Sequence, residues 1–392
     1  MSAPSTLVDA FEPVVPGRVY VLSASAPSGD LETVAPSIVG PDVGFGKFCV
    51  SDLQDLNGDS ISELGVCGTS DSFVVPGPIS TPTSVGSALA RFERAPSGAT
   101  FPFVLEAMVA GPHPGTIVVA ASGVLATVEA PVGGTYRAPP GAGMSAVFDP
   151  TDSADFRGSG GVVVLEGRSS PTYAFTAIHP YENVGGIGVF DGWPASGDWS
   201  SAARWRAGAP HFSVFGVERG DVDDDGVEDV LVRNHTYNSV SVLTDPRAGG
   251  ALDTAPMQLD GAPVDEVEEF GGYLSRHWFG SGVAVGDLDH DGVNDVVVGM
   301  PGNHYFDAPP GAFVVFLGPL EAREYTLEDA DLIGHDSDTP NDEFGAVPVI
   351  ADIDGDGWNE LVVGSPYANA PDAVDAGTVT VYDDLFGPPP SR

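Results

Sequence analysis

Three short acidic segments of the chain share the pattern Asp-x-Asp-x-Asp-Gly-x-x-Asp or Glu. Alternate residues of a tight loop turn their side chains toward one centre, and Ca²⁺ takes roughly six to eight oxygen ligands. Carboxylates at positions 1, 3, 5 and 9, with a backbone carbonyl at position 7, supply most of such a set. The pattern therefore predicts three strong calcium sites, with the ligands Asp221, Asp223, Asp225, Val227 and Asp229; Asp287, Asp289, Asp291, Val293 and Asp295; and Asp352, Asp354, Asp356, Trp358 and Glu360.

A fourth segment, nearer the start of the chain, departs from this pattern. Its predicted ligands are Asp55, Asn57, Asp59, Ile61 and Glu63. Asn57 lowers the charge of the loop, and Ser60 stands where the other loops have a glycine, the residue that bends most freely. Because the number of charged ligands tunes calcium affinity, we expect weaker binding here.

The acidic pattern has two other interpretations. A turn rich in Asp and Asn can stand in solvent without a metal, and this interpretation stays open, although three near-identical copies between apolar runs favour a site. An EF-hand loop is longer, ends on a twelfth-position Glu and lies between helices. Since the segments flanking these loops have the pattern of strands, the EF-hand interpretation is rejected.

The acidic loops belong to a repeated β-rich unit. Their first Asp recurs at 221, 287 and 352, at spacings of 66 and 65 residues. An apolar run before each loop and a Val- and Leu-rich run after it predict a β-hairpin. A third strand is predicted at 19–22, 88–92, 145–148, 187–190, 240–243, 313–317 and 378–382, and a fourth in segments such as 326–334. Four such strands per unit predict an all-β fold, a β-propeller of four-stranded antiparallel blades.

The repeats predict one propeller domain over 1–392 with six to seven units. Their approximate bounds are 1–44 (partial), 45–106, 107–152, 153–206, 207–273, 274–338 and 339–384, with a tail at 385–392. The chain starts inside a repeat, so the strand around 31–39 is expected to complete the last of six blades and remove an exposed edge. The alternative is that the chain is a fragment of a longer secreted protein.

The charge of the chain restricts its partners. It has 15 basic and 56 acidic residues, for a net charge of −41. A field of this sign repels nucleic acid and anionic lipid and attracts cations. The apolar runs are too short to span a membrane, and the first residues lack the basic and apolar regions of a signal peptide. The composition thus predicts no nucleic-acid partner and no membrane span.

The two cysteines of the chain, Cys49 and Cys67, are predicted to form a disulfide. Cys49 precedes the earliest acidic loop and Cys67 follows it, and their midpoint, residue 58, falls within that loop. Directly opposed residues of a hairpin come close enough for a disulfide after a small local pinch. A reduced pair packed as small apolar groups is the alternative.

Further motifs surround the acidic loops. Phe-Gly pairs occur at 45–46, 215–216, 279–280 and 344–345, and Gly-Met-Pro at 299–301 and Gly-Ser-Pro at 364–366 follow two of the loops. With these motifs the chain resembles the FG-GAP repeat family, the blades of the integrin α-subunit propeller. The resemblance implies that the loops bind Ca²⁺ and that the propeller binds protein ligands. We therefore expect a calcium-binding, extracellular or cell-surface scaffold for adhesion or for interaction with a protein or glycan.

The alternative function is that of a propeller enzyme or a lectin acting on polysaccharide or phospholipid. Four residues near the metal-bearing repeats are of types that transfer protons, namely His277, His304, Tyr305 and His335. No nucleophile elbow or His-rich metal site accompanies them, so no enzyme is predicted. Aromatic side chains that stack on sugars, but pack in cores by default, are Trp193, Trp199, Trp205, Trp278 and Trp358.

Overall fold

A computed structural model of the chain describes residues 2–3, 18–21, 35–41, 45, 49–69, 71–93, 105–111, 113–121, 124–128, 132–137, 144–146, 157–165, 171–178, 185–192, 203–206, 214–234, 238–261, 278–302, 310–335, 342–354, 356–369, 377–383 and 385–387. In these residues the secondary structure consists of short strands and three 3-10 helices, at Val85–Ser87, Leu252–Thr254 and Leu327–Asp329. The predicted all-β class is confirmed. None of the described helices is long and apolar enough to cross a membrane.

The chain divides into two compact units. The first comprises Met1–Val164, Pro171–Ala177 and Phe190–Ala202, and the second comprises Leu165–Ser170, Ile178–Val189 and Ala203–Arg392. Across the described residues the strands form seven small sheets, which follow the predicted repeats in order. Whether the chain is one propeller domain with the predicted repeat bounds stays a prediction.

The first three sheets lie in the first unit. The first sheet contains β1 (Ser2–Ala3), β2 (Arg18–Tyr20) and β3 (Ser37–Val39), followed by β7 (Thr83–Ser84). The second has the order β4 (Cys49–Asp52), β5 (Leu64–Cys67), β6 (Ser72–Val75), β8 (Ala90–Glu93) and β12 (Gly134–Arg137). The third has the order β9 (Leu105–Ala110), β10 (Ile117–Ala121), β11 (Val124–Val128) and β13 (Met144–Ala146).

The later sheets follow the same plan. The fourth has the order β14 (Arg157–Leu165), β15 (Thr172–Ile178), β16 (Gly185–Asp191), β17 (Ala203–Arg206) and β21 (Gly250–Ala251). The fifth has β18 (Val214–Gly220), β19 (Asp229–Asn234), β20 (Ser239–Leu243), β22 (Met257–Asp260) and β26 (Glu324–Tyr325). The sixth has β23 (Val283–Gly286), β24 (Asp295–Met300), β25 (Ala312–Phe316) and β27 (Leu332–His335), and the seventh β28 (Val347–Ala351), β29 (Glu360–Ser365) and β30 (Thr378–Tyr382).

Two of the predicted third strands are wrong. The segments at 88–92 and 145–148 correspond to β8 and β13, which are the fourth strands of their sheets; β6 and β11 are the third strands. The predictions at 187–190, 240–243, 313–317 and 378–382 match the third strands of their sheets, whereas 19–22 matches β2, which lies between β1 and β3. The errors arose because third and fourth strands are both short and apolar, so their order depends on pairing rather than on composition.

The expectation that the strand around 31–39 completes the last blade is also wrong. Strand β3 is bonded on both sides, antiparallel to β2 and parallel to β7 of the next repeat. The same parallel pairing joins β8 to β12 and β22 to β26. A short strand from the following repeat thus covers the outer edge of a sheet, which protects that edge from non-native pairing.

Two of the Phe-Gly motifs, at 279–280 and 344–345, pack against the preceding sheet. Phe279 and Phe344 are almost wholly buried. The glycine after each has a left-handed backbone, with φ of +86° at Gly280 and +91° at Gly345, and a β-carbon at Gly345 would overlap the carbonyl oxygen of Ala312 in the preceding sheet. Glycine alone adopts this left-handed backbone without strain and lacks the β-carbon that would overlap.

Glycine also lets the loop-bearing strands of the second unit approach one another. A β-carbon on Gly220, the last residue of β18, would collide with the Val285 side chain of β23. A β-carbon on Gly286, the last residue of β23, would come within 2.6 Å of Ile350 of β28. Each glycine directly precedes the first Asp of an acidic loop, so this close approach brings successive loops near one another.

Candidate calcium loops

Each acidic loop connects the first two strands of a sheet. We name them the first loop (55–63, between β4 and β5), the second loop (221–229, between β18 and β19), the third loop (287–295, between β23 and β24) and the fourth loop (352–360, between β28 and β29). All four strand pairs are antiparallel. The flanks are therefore strands, and the loops are hairpin turns rather than EF-hands.

Backbone hydrogen bonds fix where the loop carboxylates point. In the third loop, the Asp291 N–H donates to Asp287 Oδ1 at 3.1 Å and to Asp289 Oδ1 at 3.2 Å. The Gly292 N–H donates to Asp287 Oδ2 at 3.0 Å, and the Val293 N–H donates to Asp291 Oδ1 at 2.8 Å. The second loop repeats all four bonds, and the fourth loop shows three of them.

The loop backbone bends through two left-handed residues. At position 6 the φ angle is +83° at Gly226 and +95° at both Gly292 and Gly357. Ser60 of the first loop adopts the same conformation, with φ of +70°, in spite of its β-carbon. Position 4 is left-handed as well, at Gly58, Asp224 and His290. The first loop therefore keeps the bend of the others although it lacks their glycine.

The carboxylates at positions 1, 3 and 5 converge in three of the loops. One carboxylate oxygen of each lies within 4.8 Å of those of the other two, in the groups Asp221, Asp223 and Asp225; Asp287, Asp289 and Asp291; and Asp352, Asp354 and Asp356. Like charges held this close repel one another unless a cation lies between them. The convergence matches the sequence-predicted ligands.

The carboxylate at position 9 lies at the buried side of each loop. Asp229, Asp295 and Glu360 are all buried and accept a hydrogen bond from the N–H at position 2, at 3.0, 2.7 and 2.7 Å. In Asp229 the second oxygen, Oδ1, is buried with no hydrogen-bond partner. A buried carboxylate oxygen without a partner is rare. A cation bound by the second loop would satisfy it, so the residues present fit the metal that the pattern predicts.

The pKa values show the same accumulation of negative charge. Burial, and after it the neighbouring carboxylates of the second loop, raise the pKa of Asp229 to about 7. Burial likewise raises the pKa of Asp295 to about 6. Burial is also the main cause of the raised pKa of Asp223, Asp289 and Glu360. These groups keep their charge at neutral pH only at an electrostatic cost, which a divalent cation would offset.

The first loop differs at position 3. Asn57 Oδ1 accepts the Asp59 N–H at 2.9 Å, as an Asp would, but Asn57 Nδ2 donates to Asp59 Oδ2 at 3.1 Å and to Glu63 Oε1 at 2.8 Å. Four backbone N–H groups, that of Ser60 foremost, lower the pKa of Asp55. An amide donor thus lies among the carboxylates of this loop, where the other loops have oxygens only. This supports the prediction that the first loop binds a cation less tightly.

The cysteines flank the first loop as the sequence predicts. Cys49 of β4 and Cys67 of β5 are directly opposed in the antiparallel ladder. Cys67 is buried and disulfide-bonded, and Cys49 is the one other cysteine of the chain. Because the hairpin register brings the two backbones opposite each other, a bridge here needs no rearrangement of the fold.

The alternative catalytic and sugar-binding residues fall largely outside the described part. His277, His304, Tyr305, Trp193 and Trp199 lie outside the described residues, and Trp205 is described by its backbone in β17 alone. His335 is exposed at the end of β27. Trp358 is 38% exposed at position 7 of the fourth loop, and its ring lies 4.6 Å from the His290 ring of the third loop. The structure therefore places Trp358 against the third loop rather than in a core.

Comparisons with known proteins identify the repeat that contains two of the loops. The model of the FG-GAP repeat family matches residues 279–316 and 344–382, which contain the third and fourth loops. The predicted presence of FG-GAP repeats similar to those of integrin α-subunits is confirmed. Since FG-GAP repeats form the blades of β-propellers, the sixth and seventh sheets, which contain these residues, fit blades of this kind.

The curated relatives are integrin α-subunits. The chain is 29% identical to integrin alpha-PS5 of Drosophila melanogaster over 229 residues, 54% of this chain and 20% of that protein. It is 25% identical to integrin alpha-5 of Xenopus laevis over 200 residues, 47% of this chain and 16% of that protein. It is 37% identical to human integrin alpha-6 over 143 residues, 35% of this chain and 12% of that protein. The chain thus spans a fifth or less of these relatives.

Proposed function

We propose that this chain is a calcium-binding β-propeller of the extracellular or cell-surface adhesion type. The single observation that carries the calcium assignment is the second loop, where three carboxylates converge and the nearby buried Asp229 has an oxygen, Oδ1, without a hydrogen-bond partner. The third and fourth loops repeat this arrangement of carboxylates. The residues that would hold the ions are those at positions 1, 3, 5, 7 and 9 of the second, third and fourth loops, with a weaker fourth site in the first loop.

A bound cation would act on the fold rather than on a substrate. Each loop closes the hairpin between the first two strands of a blade, and each ion would neutralise two units of a net charge of −41. A ligand bound by the native state alone stabilises it by RT ln(1 + [L]/Kd). The chain's own groups hold the ion: side-chain oxygens from one end of the loop, and the buried carboxylate at position 9 from the other.

The adhesion assignment rests on similarity. The relatives found are integrin α-subunits, and we propose that this chain likewise binds a protein or glycan ligand. The comparisons do not favour the alternative of a propeller enzyme or lectin acting on polysaccharide or phospholipid. We propose an extracellular or cell-surface location on the same ground.

Isothermal titration of the metal-free protein with Ca²⁺ tests the metal assignment. We expect at least three sites, and the weakening of one site in each of the variants Asp223→Asn, Asp289→Asn and Asp354→Asn, which place at position 3 the residue that the first loop has there. The matched control is Asp224→Asn, which removes the same charge from an exposed position of the second loop that is not among the predicted ligands. Equal binding by all four variants would contradict the assignment. A glycan and protein array, run with Ca²⁺ and with EGTA, then tests the adhesion assignment.

A further inference from the structure

The loops of the second unit are joined directly to one another by asparagines at position 8. Asn294 of the third loop donates from Nδ2 to the backbone carbonyl of Asp221, the first residue of the second loop, at 2.9 Å. Asn359 of the fourth loop donates from Nδ2 to the backbone carbonyl of Asp287, the first residue of the third loop, also at 2.9 Å. The donors and acceptors are 73 and 72 residues apart in the chain. The same bond therefore recurs between two successive pairs of sheets.

Each of these asparagines stands between two predicted ligands of its own loop. Asn359 follows Trp358 at position 7 and precedes Glu360 at position 9, and Asn294 stands likewise between Val293 and Asp295. The acceptor at the other end is the backbone of a position-1 ligand. A single side chain thus connects the ligand set of one loop to the first ligand of the loop before it.

A second contact lies near each connection. The Leu320 N–H donates to the Val222 carbonyl at 2.8 Å, next to the bond from Asn294 to Asp221. The His290 ring of the third loop packs edge-on against Trp358 of the fourth loop, at 4.6 Å between centroids. The third and fourth loops are therefore in contact at two points. The second loop contacts the third through Asn294 and the segment after β25 through Leu320.

From this geometry we infer that Asn294 and Asn359 are positioning residues that couple cation binding in neighbouring loops. An ion in the third loop fixes the Asp287 backbone, and Asn359 transmits that order to positions 7 and 9 of the fourth loop; Asn294 does the same between the second and third loops. This rests on the proposed calcium binding. Coupling of this kind is reciprocal, so each loop of a pair raises the affinity of the other.

The second loop has no asparagine at position 8. Its position 8 is Glu228, which forms an ion pair with Arg219 of the same hairpin, with Oε1 at 3.2 Å from Arg219 Nη1. Glu228 is exposed to solvent in part and carries a charge that an asparagine lacks. It therefore offers a matched control at the same loop position.

A double-mutant cycle on terbium binding tests the inference. Trp358 belongs to the fourth loop and its ring also contacts His290 of the third loop. Loss of Tb³⁺ emission in Trp358→Phe shows that this indole sensitises it, and the part of the emission lost in Asp354→Ala is the signal of the fourth loop. The affinity of the fourth loop for Tb³⁺ is compared in four proteins: the wild type, Asp289→Ala, Asn359→Asp and the double variant. Asp289→Ala disables the third loop. Asn359→Asp keeps the shape of the side chain and removes its N–H donor. Asn359→Ala provides a second variant, and circular dichroism confirms that each is folded.

We expect Asp289→Ala to weaken fourth-loop binding by about three- to tenfold in the wild-type background, the effect of about one hydrogen bond. In the Asn359→Asp background, Asp289→Ala should change fourth-loop affinity by less than about twofold, which is roughly the deviation seen between independent substitutions. Glu228→Gln should leave the full effect of Asp289→Ala in place. If Asp289→Ala has the same effect in both backgrounds, the inference is overturned while calcium binding stands. If no Trp358-sensitised emission arises in the wild type, both are overturned.

Discussion

A substitution of Asp229 tests the calcium assignment directly, because its carboxylate is buried and one of its oxygens has no hydrogen-bond partner. We predict that Asp229→Asn stabilises the protein in EGTA and abolishes the stabilisation that Ca²⁺ gives through the second loop. The amide Oδ1 can still accept the Val222 N–H, and its Nδ2 can donate to a loop carboxylate, as Asn57 does in the first loop. The change therefore removes a charge without leaving a backbone donor unbonded.

The magnitude follows from the raised pKa of the Asp229 carboxyl group. Its pKa rises from 3.8 to about 7, mainly by burial. A difference of about 3 pH units between the folded and unfolded states lowers the free energy of unfolding by roughly 4 kcal/mol at a pH where the carboxyl group is ionised in both states. This is an upper limit, because partly exposed Asp223 and Asp225 are screened by solvent. We expect a gain of about 2–4 kcal/mol in the free energy of unfolding at pH 7.5 in EGTA.

Urea unfolding in EGTA and in millimolar Ca²⁺, on the wild type and two variants, provides the assay. In Ca²⁺ the wild type gains about 4 kcal/mol for a site held at a thousand times its Kd, and Asp229→Asn lacks this gain. Asp224→Asn, the control in the same loop, should behave as the wild type in Ca²⁺. The reasoning is refuted if Asp229→Asn destabilises the protein in EGTA, or if Ca²⁺ stabilises it as much as the wild type.

Three further predictions follow from the loops. In EGTA the protein should be more stable at pH 5.5 than at pH 7.5. The pKa of Asp229 and of Asp295 is raised in the folded state, which therefore binds protons more tightly than the unfolded state. The stability gained from this proton binding is complete below the unfolded pKa near 3.8 and is lost as pH rises through about 6 to 7. Urea midpoints at both pH values check this. Calorimetry should show that Asp289→Ala loses tighter-bound Ca²⁺ than Asp59→Ala. Intact mass after alkylation without reductant should show no modified cysteine in protein from an oxidising compartment.

Each of these predictions has a contrary outcome. A pH dependence of the same sign in millimolar Ca²⁺ would separate the buried carboxylates from metal binding, since Ca²⁺ competes with the protons. Loss of sites of equal affinity in the two loop variants would contradict the ranking of the loops. Two alkylated thiols in the freshly purified protein would show that Cys49 and Cys67 are reduced.

The local features of the fold follow from the sequence because they depend on neighbouring residues. The alternation of apolar runs with acidic turns identifies the hairpins, and the ligand positions follow from the loop pattern. The symmetry of Cys49 and Cys67 about residue 58 gives their register, since an antiparallel hairpin pairs residues equally distant from its turn. These predictions needed no knowledge of how the sheets pack.

Features that depend on contacts between repeats were missed. The pairing of β3 with β7 cannot be read from the residues of either strand, because a backbone edge accepts many sequences. The role of Asn294 and Asn359 was missed for the same reason: their acceptors lie 73 and 72 residues away. One signal was present in the printed sequence, namely that asparagine occupies position 8 in two successive loops, directly before a ligand.

Anomalous diffraction from crystals grown in Ca²⁺ tests the central claim most directly. We predict a calcium peak within bonding distance, about 2.3–2.6 Å, of carboxylate oxygens at positions 1, 3, 5 and 9 in the second, third and fourth loops. In the second loop the ligands should include Asp229 Oδ1, the buried oxygen without a hydrogen-bond partner. Loops that contain water alone, with Asp229 Oδ1 bonded to a water molecule, would contradict the calcium assignment.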